Sequence, residues 1–110
     1  MENAARLFES LSSNIRLDIY RLLVKEGLHG LVAGQIAGEL NIAPSNLSFH
    51  LKELVSTNLL NVEQEGRFLR YRANLSLMVD LINYLTQQCC NGDLGQCLPQ
   101  EVVSFTQGKL

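Results

Sequence analysis

The length, composition and charge of the chain leave room for one small globular domain. Its 110 residues, 46% apolar and 18% charged, can form one modest core and exclude a disordered chain. No apolar run reaches the roughly 20 residues of a membrane-spanning helix, and the first residues lack the order of a signal peptide, so we expect a cytoplasmic protein. The net charge of −2 argues weakly against a nucleic-acid partner, although local charge matters more than the total.

Local periodicity predicts two helices followed by a helix-turn-helix. Apolar residues recur at helical spacing over residues 7–11 and again over residues 15–26. A short third helix is predicted over residues 32–40. After a short turn, a fourth helix starts at Pro44, a position where proline is well tolerated, and ends near Asn58. Two helices joined by such a turn are typical of a helix-turn-helix.

The chain then changes from helical to alternating periodicity. Two short runs, residues 60–64 and 68–72, flank residues 65–67 and predict a β-hairpin. A fifth helix follows from Leu75 to about residue 90. The predicted fold class is therefore mainly α with a small β-hairpin, a winged helix-turn-helix in the order α-α-α-α-β-β-α.

Two segments are predicted from this organisation. Residues 1–90 would form the winged-helix domain. Residues 91–110 are rich in glycine, glutamine and serine, and we expect a mobile, cysteine-containing tail.

The start of the fourth helix offers side chains that could contact DNA. In a helix-turn-helix this end of the second helix faces base edges in the major groove. Asparagine can pair with adenine through two hydrogen bonds, and serine can donate or accept. As an alternative, Ser45 and Asn46 could only cap the helix, and His50 could make only a structural hydrogen bond. We expect Phe49 to pack under the wing, with a position at the DNA interface as the alternative. The candidate DNA contacts in this helix are Ser45, Asn46, Ser48 and His50.

Arginines cluster in the predicted hairpin. Arg67 lies at its tip, and Arg70 and Arg72 share one face of the second strand. Cations at these positions could meet phosphates or enter the minor groove, although a merely solvated face is the alternative. The nearest acids, Glu63 and Glu65, precede the patch, and we expect acids elsewhere in the chain to balance it without covering it.

Three stretches, in this order, carry a resemblance to a known family. Residues 10–17 resemble the stretch that enters the second helix of that family. Ser48-Phe49-His50-Leu51 is similar to its Ser-x-His-Leu signature, and residues 66–72 are similar to its wing. On these motifs the chain resembles the ArsR/SmtB family of metal-responsive repressors over about residues 5–88. The resemblance implies a repressor that binds operator DNA.

The resemblance also implies a homodimer, joined through the first and last helices. A two-fold dimer would read an inverted repeat in DNA. The apolar residues of these helices fit that use, and packing in the core of one chain is an alternative that does not exclude it. The candidate interface residues are Leu7, Phe8, Leu11, Met78, Leu81, Ile82 and Leu85.

Known metal sites of the family are absent, and a cysteine cluster stands in their place. Many arsenic and cadmium sensors of the family carry Cys-x-Cys on the third helix, whereas residues 31–36 contain no cysteine. The zinc sensors place acids and histidines on the last helix, where this chain offers Asp80 and few partners. Cys89, Cys90 and Cys97 resemble the cluster of a subgroup of arsenic repressors, with a vicinal pair at the end of the last helix.

Three thiolates match the chemistry of trivalent arsenic or antimony. Thiolates select soft ions, and these metalloids bind three sulfurs, whereas a four-thiolate zinc site would need one more. A reducing cytosol makes a structural disulfide a secondary expectation. Three alternatives stay open. Cys89 and Cys90 alone could bind methylated trivalent arsenic, the thiols could form a redox switch, or the cysteines could have no role.

The sequence as a whole predicts a transcriptional repressor. It would bind double-stranded operator DNA as a dimer and be released by As(III) or Sb(III), with no organic cofactor and no membrane partner. The competing class is a winged-helix module that binds another protein, which the modest net charge allows. We do not expect an enzyme, because the sequence shows no catalytic triad, no Gly-rich phosphate loop and no Cys-x-x-Cys motif.

Overall fold

The computed structural model describes residues 1–87, which fall into two compact units. Residues 2–75 form the larger unit, and Met1 together with the described residues 76–87 belongs to the other. The boundary predicted between residues 90 and 91 lies outside the described residues, as does the tail after it. No helix within residues 1–87 has the length and apolar character needed to cross a membrane.

The observed elements confirm the mainly helical winged helix-turn-helix fold. Every helix and strand predicted from the sequence is present, and the structure adds a 3₁₀ turn and one short strand. The elements in chain order are α1 (Ala4–Leu11), α2 (Asn14–Glu26), the 3₁₀ turn (Gly27–His29), β1 (Leu31–Val32), α3 (Ala33–Leu40), α4 (Pro44–Ser56), β2 (Leu60–Glu65), β3 (Phe68–Ala73) and α5 (Leu75–Thr86).

Local chemistry explains where the helices begin and end. The Ser13 hydroxyl accepts a hydrogen bond from the backbone N–H of Arg16 and so caps the start of α2. Gly27 ends α2 with a φ of 62°, and Asn41 ends α3 in the left-handed region with a φ of 54°. Pro44 lies in the first turn of α4, where its missing N–H costs no helical hydrogen bond.

The sheet has three antiparallel strands in the order β1-β3-β2. The hairpin of β2 and β3 closes through a two-residue turn, because Glu65 pairs with Phe68 and Gly66 supplies a φ of 63°. Strand β1 pairs Leu31 with Tyr71 on the other edge of β3. The sequence did not predict β1, because two residues are too few for an alternating pattern to be recognised.

The core of the larger unit is built from leucine and isoleucine side chains of all four helices and β2. A buried polar contact lies among them, where the Thr57 hydroxyl is 3.3 Å from the Ser10 hydroxyl. This contact joins the end of α1 to the residue that follows α4, so it helps to orient the helix-turn-helix. The fully buried apolar side chains of this unit are Leu7, Ile19, Leu23, Ile36, Leu47, Leu51, Leu54, Leu59 and Leu60.

The predicted dimer residues divide by their exposure in the single chain. Leu7 is 0% and Leu81 2% exposed, so both are core residues of one chain. Both residues thus show the core packing that was the alternative, which does not exclude an interface role, and their place in a dimer interface stays a prediction. Phe8 and Leu85 remain 42% and 58% exposed. The other three candidates, Leu11, Met78 and Ile82, are half-buried.

Candidate nucleic-acid interface

The N-terminal end of α4 presents polar side chains that make no hydrogen bond to another residue in 1–87. The helix starts after Ala43, which supplies no side-chain cap, and the Leu47 N–H donates the first helical hydrogen bond to the Ala43 carbonyl at 2.9 Å. Ser45, Asn46 and Ser48 are exposed, and no side-chain hydrogen bond joins them to any other residue in 1–87. The alternative that Ser45 and Asn46 serve as helix caps therefore does not hold.

This end of α4 is also suited to negative charge. The N–H groups of Ser45 and Asn46 precede the first helical hydrogen bond, and Pro44 has none to offer. Unpaired N–H groups together with the helix dipole favour a phosphate at such a terminus. Exposed hydroxyl and amide groups beside them can hydrogen-bond to a base edge or to the DNA backbone.

His50 is held by an arginine from another helix. The Arg16 Nε–H donates to His50 Nδ1 at 3.1 Å, which joins α2 to α4. The Arg16 Nη1 also donates to the backbone carbonyl of Ser10 at 3.3 Å. Partial burial, and then the positive charge of Arg16, lower the pKa of His50 below its ordinary value. The structural hydrogen bond expected as one alternative for His50 is present, and its contact with DNA stays a prediction.

Phe49 is exposed rather than packed under the wing, which corrects that expectation, and its alternative position at the DNA interface stays a prediction. Its ring centroid is 5.8 Å from the Arg16 guanidinium carbon and 5.4 Å from the His50 ring, which it meets edge-on. Phe49 is two residues from both Leu47 and Leu51, which is about 200° around the helix, so it points away from the core face. Its side chain is 63% exposed.

Sequence reasoning missed the role of Arg16 toward His50. The two residues are 34 positions apart, and nothing in the local pattern of α2 indicates the contact. The only local signal at this place is the serine cap one turn earlier, at Ser13.

Two of the three wing arginines are paired with acids on the neighbouring strand. Arg70 Nε lies 2.8 Å from Glu65 Oε2, and Arg72 Nη1 lies 2.8 Å from Glu63 Oε1. In the register of β2 and β3, Glu63 is directly opposite Arg70, so each ion pair runs diagonally across the hairpin. These nearest acids thus cover part of the patch, because the antiparallel register brings them onto the same face as the arginines.

The same two arginines attach the wing to the 3₁₀ turn. Arg70 Nη1 donates to the His29 carbonyl at 3.1 Å, and Arg72 Nε donates to the Leu28 carbonyl at 2.8 Å. Gly30 follows directly with a φ of 63°, and a Cβ there would meet the Tyr71 carbonyl oxygen. In the DNA-free structure these arginines therefore orient the wing. Contact of Arg70 and Arg72 with DNA stays a prediction.

Arg67 differs from its two neighbours. It lies in the tight turn of the hairpin, is exposed, and has no hydrogen bond or ion pair with any residue that the structure describes. Of the three wing arginines, it is the one whose charge is available to a phosphate without breaking a contact within the chain.

A groove separates α4 from the wing. Its volume is about 440 Å³. Ser48 and Lys52 line it from α4, and Val62, Leu69 and Tyr71 line it from the hairpin. Lys52 is exposed and is the cation on the α4 wall. The candidate surface therefore consists of a polar helix terminus and a hairpin tip that carries Arg67, with a mostly apolar groove between helix and hairpin.

The predicted metalloid ligands cannot be placed. Cys89, Cys90 and Cys97 lie outside the described residues. Among residues 1–87, no three His, Cys, Asp or Glu side chains are grouped so that they could hold a metal ion.

Comparison with known proteins agrees with this architecture. A helix-turn-helix domain family matches residues 11–63. The transcriptional repressor SdpR of Bacillus subtilis (strain 168) is 31% identical over 87 residues, which cover 79% of this chain and 93% of SdpR.

Solved structures share the fold at lower identity. An ArsR-like transcriptional regulator from Rhodococcus sp. RHA1 has a TM-score of 0.71 and 23% identity, covering 96% of this chain and 92% of its own. A homodimeric winged helix-turn-helix DNA-binding domain from Mycobacterium bovis, described as a possible ArsR-family regulator, has a TM-score of 0.62 and 23% identity, covering 79% of this chain and 81% of its own. The chain therefore belongs to the helix-turn-helix family of transcriptional regulators that includes SdpR, and it has the winged-helix fold of ArsR-like regulators.

Proposed function

We propose that this chain is a repressor that binds operator DNA through α4 and the tip of the wing. The observation that carries the proposal is the exposed, unpartnered polar end of α4 at Ser45, Asn46 and Ser48. A relative of 31% identity is a transcriptional repressor, which supports repression as the outcome of binding. Arg67 at the wing tip would meet the DNA backbone or the minor groove beside the major-groove site.

We propose that the DNA-binding form is a homodimer. The structural neighbour from Mycobacterium bovis is homodimeric, and the resemblance to the ArsR/SmtB family points to the first and last helices as the interface. Phe8 of α1 and Leu85 of α5 both keep exposed apolar surface in the single chain, as such an interface requires. A two-fold dimer would read an inverted repeat whose half-sites lie about one helical turn, or a multiple of it, apart.

Fluorescence anisotropy tests DNA binding directly. The reduced protein is titrated into a labelled duplex taken from the DNA upstream of its own gene. We expect binding that weakens steeply as salt rises, because displaced counterions drive phosphate contact. Asn46→Ala should weaken binding by about 1–3 kcal/mol if its amide reads a base. Asn61→Ala, at an exposed position on β2, is the matched control and should bind like the wild type.

Two results would count against the DNA-binding proposal. Failure to bind the duplex would favour the alternative of a winged-helix module that binds another protein. Equal affinity of the Asn46→Ala variant and the wild type would remove the end of α4 from the interface.

We propose further that trivalent arsenic or antimony releases the repressor from DNA. Cys89, Cys90 and Cys97 supply three soft thiolate ligands, the number that these metalloids take. Within residues 1–87, no group of three His, Cys, Asp or Glu side chains could hold a metal ion, and α3 contains no cysteine. Both observations support the C-terminal cysteines as the sensing site. Linkage requires that DNA weaken metalloid binding by the same factor by which the metalloid weakens DNA binding.

Metalloid titrations of the protein–DNA complex test this second proposal. Arsenite should dissolve the complex of the wild type, whereas the Cys89→Ser variant should bind DNA normally and resist arsenite. Titrations with methylarsenite and with zinc run alongside. A response to the methylated form alone would favour the two-thiol alternative. If arsenite, methylarsenite and zinc all fail to dissociate the complex, DNA binding stands and metalloid sensing is overturned.

A further inference from the structure

We propose that Arg16 fixes His50 as a hydrogen-bond donor toward DNA. His50 would then contact only acceptor atoms, which for a helix in the major groove are phosphate oxygens or the base atoms guanine O6 and N7, adenine N7 and thymine O4. This inference rests on the proposed function, because it takes α4 to be the DNA-contacting helix. It assigns to Arg16 a positioning role that acts through His50.

The first step concerns which ring nitrogen carries the proton. A neutral imidazole has one N–H donor and one bare acceptor nitrogen, whereas a guanidinium group has donors alone. Because the Arg16 Nε–H donates to His50 Nδ1 at 3.1 Å, Nδ1 must be the bare nitrogen. The proton of the neutral ring therefore lies on Nε2.

The second step concerns how firmly Arg16 is held. Its Nη1 donates to the Ser10 carbonyl at 3.3 Å, and its guanidinium carbon is 5.8 Å from the centre of the Phe49 ring. Arg16 also lies in the first turn of α2, where Ser13 accepts its backbone N–H. Contacts on several sides restrict the rotamers of the guanidinium group, so the donor to His50 is preorganised.

The third step concerns what is left for an external partner. His50 is half-buried, and its Nε2 makes no hydrogen bond with any residue in the described part of the chain. Partial burial and the charge of Arg16 lower the pKa of His50, so the ring is neutral near pH 7. One N–H donor thus remains free on α4, one residue beyond Phe49 and two beyond Ser48.

The chemical consequence is a restriction on what His50 can read. A bare Nε2 would accept from the amino groups of cytosine or adenine, whereas a protonated Nε2 cannot. Base acceptors and phosphate oxygens can both accept the hydrogen bond from Nε2, and selection from a duplex library distinguishes them.

The tautomer can be measured on the free protein, without DNA. Two-bond ¹H–¹⁵N correlation spectra at neutral pH report which imidazole nitrogen is protonated. We expect a pyrrole-type Nε2 and a pyridine-type Nδ1 for His50. A wild-type ring protonated on Nδ1, or one that exchanges between both tautomers, would overturn the proposal whether or not the protein binds DNA.

An arginine variant tests whether Arg16 sets that state. Arg16→Met keeps much of the aliphatic side chain and removes the donor, so we expect a Nδ1–H fraction to emerge in the His50 signals. Arg21→Met, at an exposed position on the same helix, is the matched control and should leave the spectrum unchanged. A spectrum of the Arg16→Met variant identical to that of the wild type would show that Arg16 does not position the proton.

Two histidine variants carry the test to DNA. His50→Gln places an amide N–H donor near the position of Nε2. His50→Asn places its amide near the position of Nδ1 and leaves the position of Nε2 without a donor. We expect His50→Gln to retain binding to the upstream duplex and His50→Asn to lose roughly tenfold, the scale of one hydrogen bond. Equal affinities of the two variants would overturn the donor assignment.

Selection from a randomised duplex library separates the two kinds of acceptor. If the acceptor is a base, His50→Asn should lose the preference for guanine, adenine or thymine at one position of each half-site. If it is a phosphate, the variant should bind all selected sequences more weakly with unchanged preferences. Either result supports the donor role. The donor role would be contradicted if the wild type, but not His50→Asn, selected cytosine at one position of each half-site, because the amino group of cytosine is itself a donor.

Discussion

His50 shows how a contact between helices sets the chemistry of a single residue. Its sequence neighbours place it on α4 near the edge of the core, but they leave the protonation of the ring open. Arg16 decides this by donating to Nδ1, whereas the pKa of His50 is lowered first by partial burial and then by the charge of Arg16. The position of Phe49 is likewise defined by a residue of another helix, because its ring lies beside Arg16 as well as His50.

The lowered pKa of His50 predicts a pH dependence of stability. The folded protein binds a proton at His50 less readily than the unfolded chain, so the free energy of unfolding falls as the pH falls. The stability contributed by neutral His50 is complete above the ordinary histidine pKa of about 6.5 and is lost as the pH drops through the folded value. Urea unfolding at a series of pH values should show this loss for the wild type and a smaller loss for His50→Gln.

A second histidine provides the control for this measurement. His29 is exposed in the 3₁₀ turn, and His29→Gln removes a histidine without removing the contact between Arg16 and His50. This variant should keep the wild-type dependence in the same pH window. If His50→Gln and the wild type lose stability equally, the pH dependence has another origin.

At the scale of elements, the wing is positioned by the 3₁₀ turn and β1 as well as by its own hairpin. Arg70 and Arg72 reach carbonyls of the 3₁₀ turn, and β1 pairs along the edge of β3. Gly30 lies between the turn and β1, where the backbone passes close to Tyr71. The direction of Arg67 at the tip therefore depends on a glycine far from it in sequence.

This arrangement predicts that Gly30→Ala destabilises the protein. The backbone has a φ of 63°, and a Cβ would meet the Tyr71 carbonyl oxygen and come within 2.7 Å of Arg72 Cγ. We expect the free energy of unfolding to fall by about 2 kcal/mol or more, measured by urea denaturation. Gly38→Ala is the control, because a Cβ there meets nothing within 4 Å and alanine favours the helix by about 0.5–1 kcal/mol. Equal stability of Gly30→Ala and the wild type would contradict this view of the wing.

At the scale of the whole molecule, the proposed function requires two chains. One α4 terminus offers only a few polar side chains, and a two-fold pair of them would double the contacts with an inverted repeat. The residues that remain exposed in one chain, rather than those already in its core, identify the surfaces that a partner could cover. Phe8 and Leu85 meet this condition, whereas Leu7 and Leu81 do not.

A charge at Phe8 should therefore dissociate the dimer. Phe8→Glu places a carboxylate in an apolar interface, where burying an unpaired charge is costly. We expect the variant to sediment as a monomer and to bind the upstream duplex more weakly. Leu28→Glu is the matched control, because Leu28 is 92% exposed in the 3₁₀ turn and lies outside the proposed interface. A dimeric Phe8→Glu variant would remove α1 from the interface.

Local pattern alone determined most of the architecture of this protein. The helices, the turn before Pro44 and the hairpin around Gly66 follow from periodicity, caps and turn residues, which are properties of neighbouring positions. The polar side chains at the start of α4 were predicted for the same reason, since their place in a helix-turn-helix follows from the order of elements.

Only the tertiary structure decided how these residues are used. The contact of Arg16 with His50 spans 34 positions, and the bond of Arg72 to the Leu28 carbonyl spans 44, so neither leaves a periodic signal in the sequence. The pairing of the wing arginines with Glu63 and Glu65 depends on strand register, and the burial of Leu7 depends on what packs against it. A local pattern predicts which face a residue occupies, but the partner that meets this face is determined by packing between distant segments.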